Sequence, residues 1–120
     1  MYKEATTFIS DLVNSYAWDT AIVFIQTFGG CSNYATKQNY YSTEVDKYCN
    51  IYNMAAGYFE WLTETSNYYY STSVYCCTYR GGLFNSDGEQ ERVYAGCRSE
   101  DSATSRIYTI SFRPLLYVKS

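Results

Sequence analysis

Residues 52–61 of the chain read YNMAAGYFEW, with small residues standing between aromatic ones. Two shorter stretches follow, YRGG at residues 79–82 and ISFRPLL at residues 110–116. We refer to these three stretches as motif one, motif two and motif three. Between them lie segments in which aromatic residues are scattered among Ser, Thr, Asn and Gly. The order of the motifs, and the aromatic residues between them, decide how the chain is interpreted.

The composition indicates one small folded domain over residues 1–120. Hydrophobic residues make up 47% of the chain, which argues against disorder. The net charge is -3, from 9 basic and 12 acidic residues, whereas a nucleic-acid-binding surface is normally basic. No apolar run approaches the roughly 18 residues of a membrane span. We therefore expect neither a nucleic-acid partner nor a membrane span.

Tyrosine is the compositional outlier, with 16 of 120 residues. A tyrosine side chain offers a large, rigid contact area with a polar tip. Tyr combined with Ser, Gly and Asn is typical of antibody-type binding surfaces. A β-rich domain with aromatic strands would have a similar composition, so composition alone leaves both interpretations open.

The cysteines do not form a recognisable disulfide framework or metal site. Their number, five, is odd, and the adjacent Cys76 and Cys77 are poorly placed to bridge each other. Histidine is absent, and no cysteine pair has the spacing of a zinc site. We expect no metal and no cofactor.

The residue pattern predicts an α+β domain with one or two helices, few strands and long loops. Apolar residues recur at helical spacing over residues 15–28, between a cap at Asn14 or Ser15 and the stop at Gly29-Gly30. Asp19 is expected in the first turn, where it would favour the helix dipole. Residues 8–13 predict an earlier helical turn.

Strands are predicted at residues 74–80, 107–112 and 115–118, with Pro114 as a break or edge position. Polar residues predict loops at 31–50, 65–73, 85–90 and 99–105.

In their order and spacing, the three motifs resemble the formylglycine-generating-enzyme branch of the C-type lectin fold. The usual forms in that family are NMAGNVWEW, RGGxW and GFR. This chain departs from them within residues 56–59, at Phe84, which stands where Trp is usual, and at Ser111, which stands for Gly. The resemblance implies a C-type-lectin-like fold, with a small twisted antiparallel sheet.

A closer resemblance, over roughly residues 15–118, is to the variable proteins of diversity-generating retroelements, of the phage tropism-determinant type. It is carried by SYAWDTAI at residues 15–22, YATK at 34–37, WLTET at 61–65 and FRPLLY at 112–117. In that family, adenine-directed mutagenesis rewrites chosen codons near the C-terminus. The resemblance implies a variable region at about residues 55–110 and a protein or cell-surface ligand, with the domain carried on a virion or a bacterial surface through additional domains.

The candidate ligand-binding residues lie within and between the motifs and are of types that such mutagenesis can produce. They are Tyr58, Phe59, Tyr75, Cys76, Tyr79, Leu83, Phe84, Tyr94, Gly96, Cys97, Ile107 and Tyr108. Freely exchanged positions must be exposed, because a core substitution typically costs roughly 2–5 kcal/mol. We therefore expect one solvent-facing patch, formed by Tyr58, Tyr75, Tyr79, Leu83, Phe84, Tyr94, Cys97 and Tyr108. Ordinary sheet packing is the competing explanation for Tyr75, Tyr79, Leu83 and Phe84.

Other prominent residues are expected to support the fold. Trp18, Met54, Trp61 and Phe112 are expected to be buried. Arg80 and Arg113 are expected to tie loop carbonyls or carboxylates in place, with Glu60 as one such partner.

Two other functions are weighed against ligand binding. An oxygenase of the formylglycine-generating type needs a redox-active cysteine pair just before the final arginine motif, where only Cys97 lies. No histidine can act as acid or base either, so we expect no enzyme activity. A calcium-dependent lectin would carry Glu-Pro-Asn or Gln-Pro-Asp, yet the only proline is Pro114. A sugar site that stacks on Tyr or Trp stays open.

Overall fold

The computed structural model describes residues 8–37, 45–66, 76–82 and 94–118, and the side chains within 10–37, 45–65, 76–82 and 94–115. Its described elements confirm the predicted α+β class. In chain order they are β1 Phe8–Leu12, α1 Ser15–Phe28, a 3-10 turn Tyr34–Thr36, β2 Lys47–Tyr48, β3 Ile51–Tyr52, β4 Phe59–Ser66, β5 Cys76–Arg80, β6 Arg98–Ser102, β7 Ile110–Phe112 and β8 Pro114–Val118.

A four-stranded sheet in the order β6-β5-β4-β7 is the largest of the described sheets. β5 runs antiparallel to both β4 and β6, whereas β7 runs parallel to β4. The other strands pair as β1 with β8 and as the short hairpin β2–β3. That hairpin turns through Cys49 and Asn50, which both have positive φ, as a tight two-residue hairpin loop requires.

Helix α1 begins and ends where its sequence predicts. The Asn14 side chain accepts a hydrogen bond from the Ala17 N–H, and the Gly29 N–H closes the last turn on the Ile25 carbonyl. Trp18, Ile22 and Ile25 are buried, so the predicted apolar spacing does mark the core face.

The main core joins this helix face to motif one and to β4. Met54 and Ala55 of motif one and Leu62 of β4 are buried together with Val13, Tyr34, Ala95 and the three helix residues. The helix is also tied to β4 by hydrogen bonds, because the Ser15 N–H and hydroxyl donate to the two carboxylate oxygens of Glu64. These bonds outweigh the opposing effect of burial and hold the pKa of Glu64 below its ordinary value.

Four expectations about local structure are wrong, each because a tertiary partner decides it. Residues 8–12 form β1 instead of a helical turn, since they pair along their length with β8. Residues 98–102 form β6 instead of a loop, because β5 supplies a pairing partner for a polar strand at the sheet edge. Within the described part of 31–50 lie a 3-10 turn and β2. Thr65 and Ser66, predicted as loop, extend β4 by pairing with β5.

The strands predicted at 74–80, 107–112 and 115–118 are confirmed as β5, β7 and β8: β5 covers the described part of 74–80, β7 is shorter than predicted, and β8 begins one residue earlier. Pro114 lies at the first position of β8, a place where a strand tolerates proline. Asp19 lies beyond the first turn of α1, and its carboxylate binds Arg80. Among the described helices, none has the length and hydropathy needed to cross a bilayer.

Candidate functional site

The topology of the four-stranded sheet brings several predicted site segments to one end. β4, β6 and β7 start at this end, and β5, which runs the other way, finishes there. We refer to residues 57–59, 80–82, 94–98 and 107–110 as the loop end of the sheet. The outer strands β6 and β7 are three strand spacings apart, which is roughly 14 Å at the usual spacing. A single protein ligand could therefore touch the whole loop end.

Exposed tyrosines precede each of the three strands that start at the loop end. Tyr58 is 55% exposed just before β4, Tyr94 is 36% exposed ahead of β6, and Tyr108 is 92% exposed ahead of β7. Their exposure agrees with what the sequence predicts for these three residues. The three tyrosines lie at the same end because of the order and direction of the strands, and not because their rings contact one another.

The outer face of the same sheet is aromatic. Trp61 of β4 lies opposite Tyr79 of β5 and Phe112 of β7. The Tyr79 ring contacts both Phe59 and Trp61, with ring centroids 5.0 and 5.7 Å apart. Tyr79, expected on the exposed patch, and Trp61, expected to be buried, are instead both half-buried in a stack with Phe59, because their rings pack on one another. Phe112, expected to be buried, is 67% exposed, because its strand places it on this outer face.

A cavity of about 300 Å³ opens where motif one meets motif three. Its lining includes Tyr52, Asn53, Tyr58, Ser111, Phe112 and Arg113. Sequence reasoning identified only Tyr58 of these as a site residue. A usable signal was present, since opposite charges stand in the two motifs at Glu60 and Arg113 and pair across the sheet.

The floor of this cavity is a paired ion bridge. Arg113 donates from Nε and Nη2 to the two carboxylate oxygens of Glu60, both at 2.7 Å, and Nη2 also donates to the Tyr52 carbonyl at 2.7 Å. Glu60 is only 6% exposed. The predicted structural role of Arg113, with Glu60 as its partner, is confirmed. Removing Arg113 would leave the buried Glu60 carboxylate unpaired, which costs about 3–5 kcal/mol.

A second arginine fixes the opposite side of the loop end. Arg80 Nη1 donates to the Asp19 carboxylate at 2.5 Å, and Nη2 donates to the Gly96 carbonyl at 3.2 Å. Arg80 is buried, whereas the Asp19 side chain is largely exposed. This arginine therefore fastens the segment ahead of β6 to helix α1, and its predicted structural role is confirmed.

The buried carboxylate of Asp46 holds motif one in place through hydrogen bonds. It is 1% exposed and accepts hydrogen bonds from the Tyr34 hydroxyl at 2.6 Å, the Ala55 N–H at 2.8 Å and Lys37 Nζ at 3.2 Å. Burial, followed by the bond to Asp46, raises the pKa of Tyr34 far above its ordinary value. Burial opposes the charge on Lys37, but its bonds to Tyr48 and Asp46 outweigh it and raise the lysine pKa.

Several predicted site residues do not belong to an exposed patch. Cys97 is 3% exposed, because the strand start that carries it is hydrogen-bonded to Gly81 and Tyr94. Gly96 packs its backbone against Ala35, and a Cβ there would come within 2.8 Å of the Ala35 carbonyl oxygen. Cys76 begins β5 and so lies at the end of the sheet opposite the loop end. The expectation that Cys97 is exposed is wrong, and Cys76 and Gly96, predicted only as ligand-binding residues, do not lie among the exposed tyrosines.

Ile107 is half-buried beside the exposed Tyr108. Tyr75, Leu83 and Phe84 fall outside the described residues, as does the segment 67–75 predicted mainly as loop. In the described part of the chain, no group of three or more Cys, Asp or Glu side chains is arranged to hold a metal ion. The geometry at the loop end consists of contact surface and hydrogen-bonding groups around a shallow cavity.

No family model, curated protein or solved structure matches the chain.

Proposed function

We propose that this protein binds a protein or cell-surface ligand through exposed aromatic side chains at the loop end of its sheet. We assign it to the variable proteins of diversity-generating retroelements, on a C-type-lectin-like fold. The function is recognition without a catalytic step. The observation that carries the proposal is that Tyr58, Tyr94 and Tyr108 are exposed at one end of the sheet, while other residues hold the sheet together.

The contacts among the three motifs support the C-type-lectin-like fold of this proposal. Glu60 of motif one binds Arg113 of motif three through two hydrogen bonds. The Gly82 N–H of motif two donates to the Met54 carbonyl of motif one at 3.0 Å. A Cβ at Gly82 would meet the Ala55 carbonyl oxygen at 2.2 Å, so only glycine fits this contact. The residues that carry the resemblance thus form one supporting unit beneath the tyrosines.

The physics of tyrosine favours recognition at these positions. Each exposed tyrosine adds contact area while ordering only two side-chain torsions on binding, so little entropy is lost. The Arg113–Glu60, Arg80 and Asp46 interactions hold the backbone without using these rings. The three exposed tyrosines can therefore change while the scaffold remains folded.

A pair of display libraries tests this proposal. One library randomises Tyr58, Tyr94 and Tyr108, and the matched control randomises Tyr16, Val23 and Phe28, which are also exposed but lie on helix α1. Both libraries are displayed on yeast and selected against the same set of purified bacterial surface proteins. We expect both to display at the parental level and binders to come from the loop-end library.

Two outcomes would contradict the proposal. The first is loss of display in the loop-end library, which would show that the three tyrosines hold the fold. The second is an equal yield of binders from the helix library. The family assignment has its own test in the flanking DNA, where we expect a near-identical repeat that differs at adenines, beside a reverse transcriptase gene. A gene neighbourhood without both features would remove that assignment and leave the binding function to the libraries.

A further inference from the structure

Arg113 lines the cavity between motif one and motif three and keeps two unused N–H donors, both on Nη1. A guanidinium has five N–H donors, of which Nε supplies one and Nη2 two. Those three bind Glu60 and the Tyr52 carbonyl. No described residue accepts a hydrogen bond from Nη1, and the Arg113 side chain is 28% exposed. The two remaining N–H groups are therefore available to a ligand.

The charge around this cavity favours an anion. The charges of Arg113 and Glu60 in the lining cancel, and Lys47 beside the Tyr52 wall adds one positive charge. The Lys47 Nζ lies 5.1 Å from the centroid of the Tyr52 ring, on the cavity wall. Both oxygens of Glu60 are taken by Arg113, and its side chain is only 8% exposed. The carboxylate of the cavity lining is therefore already neutralised by Arg113 and would not attract a cation.

The walls suit a short apolar stem. Tyr52 and Phe112 are 42% and 67% exposed, and with Tyr58 they supply aromatic surface. The cavity holds about 300 Å³, the lower limit of ordinary ligand sites, which run roughly 300–1,000 Å³. That volume suits one side chain better than an extended small molecule.

We propose that this cavity binds the carboxylate of an acidic side chain from a protein partner, with the carboxylate on Arg113 Nη1 and its apolar stem between the aromatic walls. One carboxylate matches the positive charge of Lys47 beside this cavity, and one of its oxygens can accept a charge-assisted hydrogen bond from Arg113 Nη1. A phosphate group would carry more negative charge than the cavity offsets. This inference rests on the proposed binding function, because Tyr58 belongs both to the loop end and to the cavity wall.

NMR titration of the ¹⁵N-labelled chain tests the inference without the cognate partner. The probes are the peptides acetyl-Ala-Glu-Ala-amide and acetyl-Ala-Gln-Ala-amide, with butyrate and butyramide as free small-molecule counterparts. We expect the Glu peptide to shift the Arg113 Nε–H and Ser111 N–H signals and to bind at least about tenfold more tightly than the Gln peptide, the size of a charge-assisted hydrogen bond.

Three variants complete the design, and Arg113 is left intact because its loss would strand buried Glu60. Lys47→Gln is expected to weaken the Glu peptide by about threefold to fivefold while leaving the Gln peptide unchanged, as for an exposed charge. Phe112→Ala is expected to weaken both peptides. Arg98→Gln is the matched control, since Arg98 is exposed and lies at the opposite edge of the sheet. It should change neither affinity.

Equal affinity for the Glu and Gln peptides would overturn the inference, as would shifts centred away from Arg113 and Ser111. If Lys47→Gln and Arg98→Gln weakened binding of the Glu peptide equally, the affinity would depend only on the overall charge of the protein. That result would also overturn the inference. If butyrate binds and the Glu peptide does not, the cavity is a site for a free small carboxylate and the inference of a protein partner is overturned. None of these results bears on the display libraries, so this inference and the proposed function can fail separately.

Discussion

Two segments that reach the loop end, residues 53–58 and residues 94–97, each carry one exposed tyrosine and are held in place differently. Residues 53–58 run through the buried Met54 and Ala55 and end on Tyr58, which is 55% exposed. Residues 94–97 begin on the exposed Tyr94 but continue through Ala95 and Cys97, at 0% and 3% exposure. In each segment only one described aromatic side chain is free to face a ligand.

The difference lies in what each segment supports. The Ala95 carbonyl accepts the Trp18 indole N–H at 2.9 Å, and the Gly96 carbonyl accepts from Arg80 at 3.2 Å. Residues 94–97 are therefore part of the contact between the sheet and helix α1. Residues 53–58 are anchored at their base through Ala55, while their tip carries no such contact to the helix. Whether a residue can belong to a variable surface is thus better predicted from the hydrogen bonds of its backbone than from its position next to a strand.

The largest expected effect comes from breaking the anchor of the first segment. Asp46→Asn removes the charge that binds Tyr34, Lys37 and Ala55, and we expect it to lower the free energy of unfolding by about 3–5 kcal/mol. Urea unfolding followed by circular dichroism measures this loss. The control Asp11→Asn changes an exposed carboxylate and should cost less than about 0.5 kcal/mol. A loss below about 1 kcal/mol for Asp46→Asn would mean that the anchor is dispensable.

Alkaline pH should weaken the same anchor more gently, because it leaves the Asp46 carboxylate in place. The folded pKa of Tyr34 is raised above 10.0 and that of Lys37 above 10.5. Their contribution to stability is therefore complete below these ordinary values and is lost as the pH rises through the folded values. We expect the urea midpoint to fall as the pH rises above about 10.

The variant Tyr34→Phe provides the comparison for this pH series, because it removes one of the two titrating groups. Its urea midpoint should fall less steeply over the same pH range. A wild-type midpoint that does not change above pH 10.0, where Tyr34 ordinarily titrates, would contradict the assignment.

The smallest effect contrasts neighbours within the second segment. Gly96→Ala forces a Cβ toward the Ala35 carbonyl oxygen and should cost about 1–3 kcal/mol, as overpacking does. Tyr94→Ala, two residues earlier, should cost no more than about 0.5–1 kcal/mol, since its ring is exposed. Thermal unfolding of both variants checks the difference. A larger loss for Tyr94→Ala would place Tyr94 with the supports and remove it from the binding surface.

Much of the fold was predictable because its signals are local. The spacing of Trp18, Ile22 and Ile25 fixes the buried face of α1, and Asn14 and Gly29 fix its ends. The opposite charges of Glu60 and Arg113 in separate motifs pointed to a structural pair. The sequence pattern at residues 8–12 was misleading, because β8, more than a hundred residues away in the chain, supplies its partner.

The candidate site was only partly predictable, because the exposure of a side chain depends on which distant parts of the chain pack against it. Tyr58, Tyr94 and Tyr108 are exposed as predicted, whereas Cys97 is buried. Phe112 was expected in the core because it stands within motif three, and its place in β7 turns it outward. The register of β7 against β4 decides this, and no property of the residue itself reveals it.

The sequence by itself determined the α+β class, the bounds of α1 and the aromatic, polar character of the segments between the motifs. Those properties follow from side-chain spacing and composition, which act over a few residues. Tertiary structure alone decided that three strand starts share one end of the sheet, that Gly96 and Cys97 are locked, and that Arg113 opens onto a cavity. These features depend on strand order and register, which are set by contacts between residues far apart in the chain.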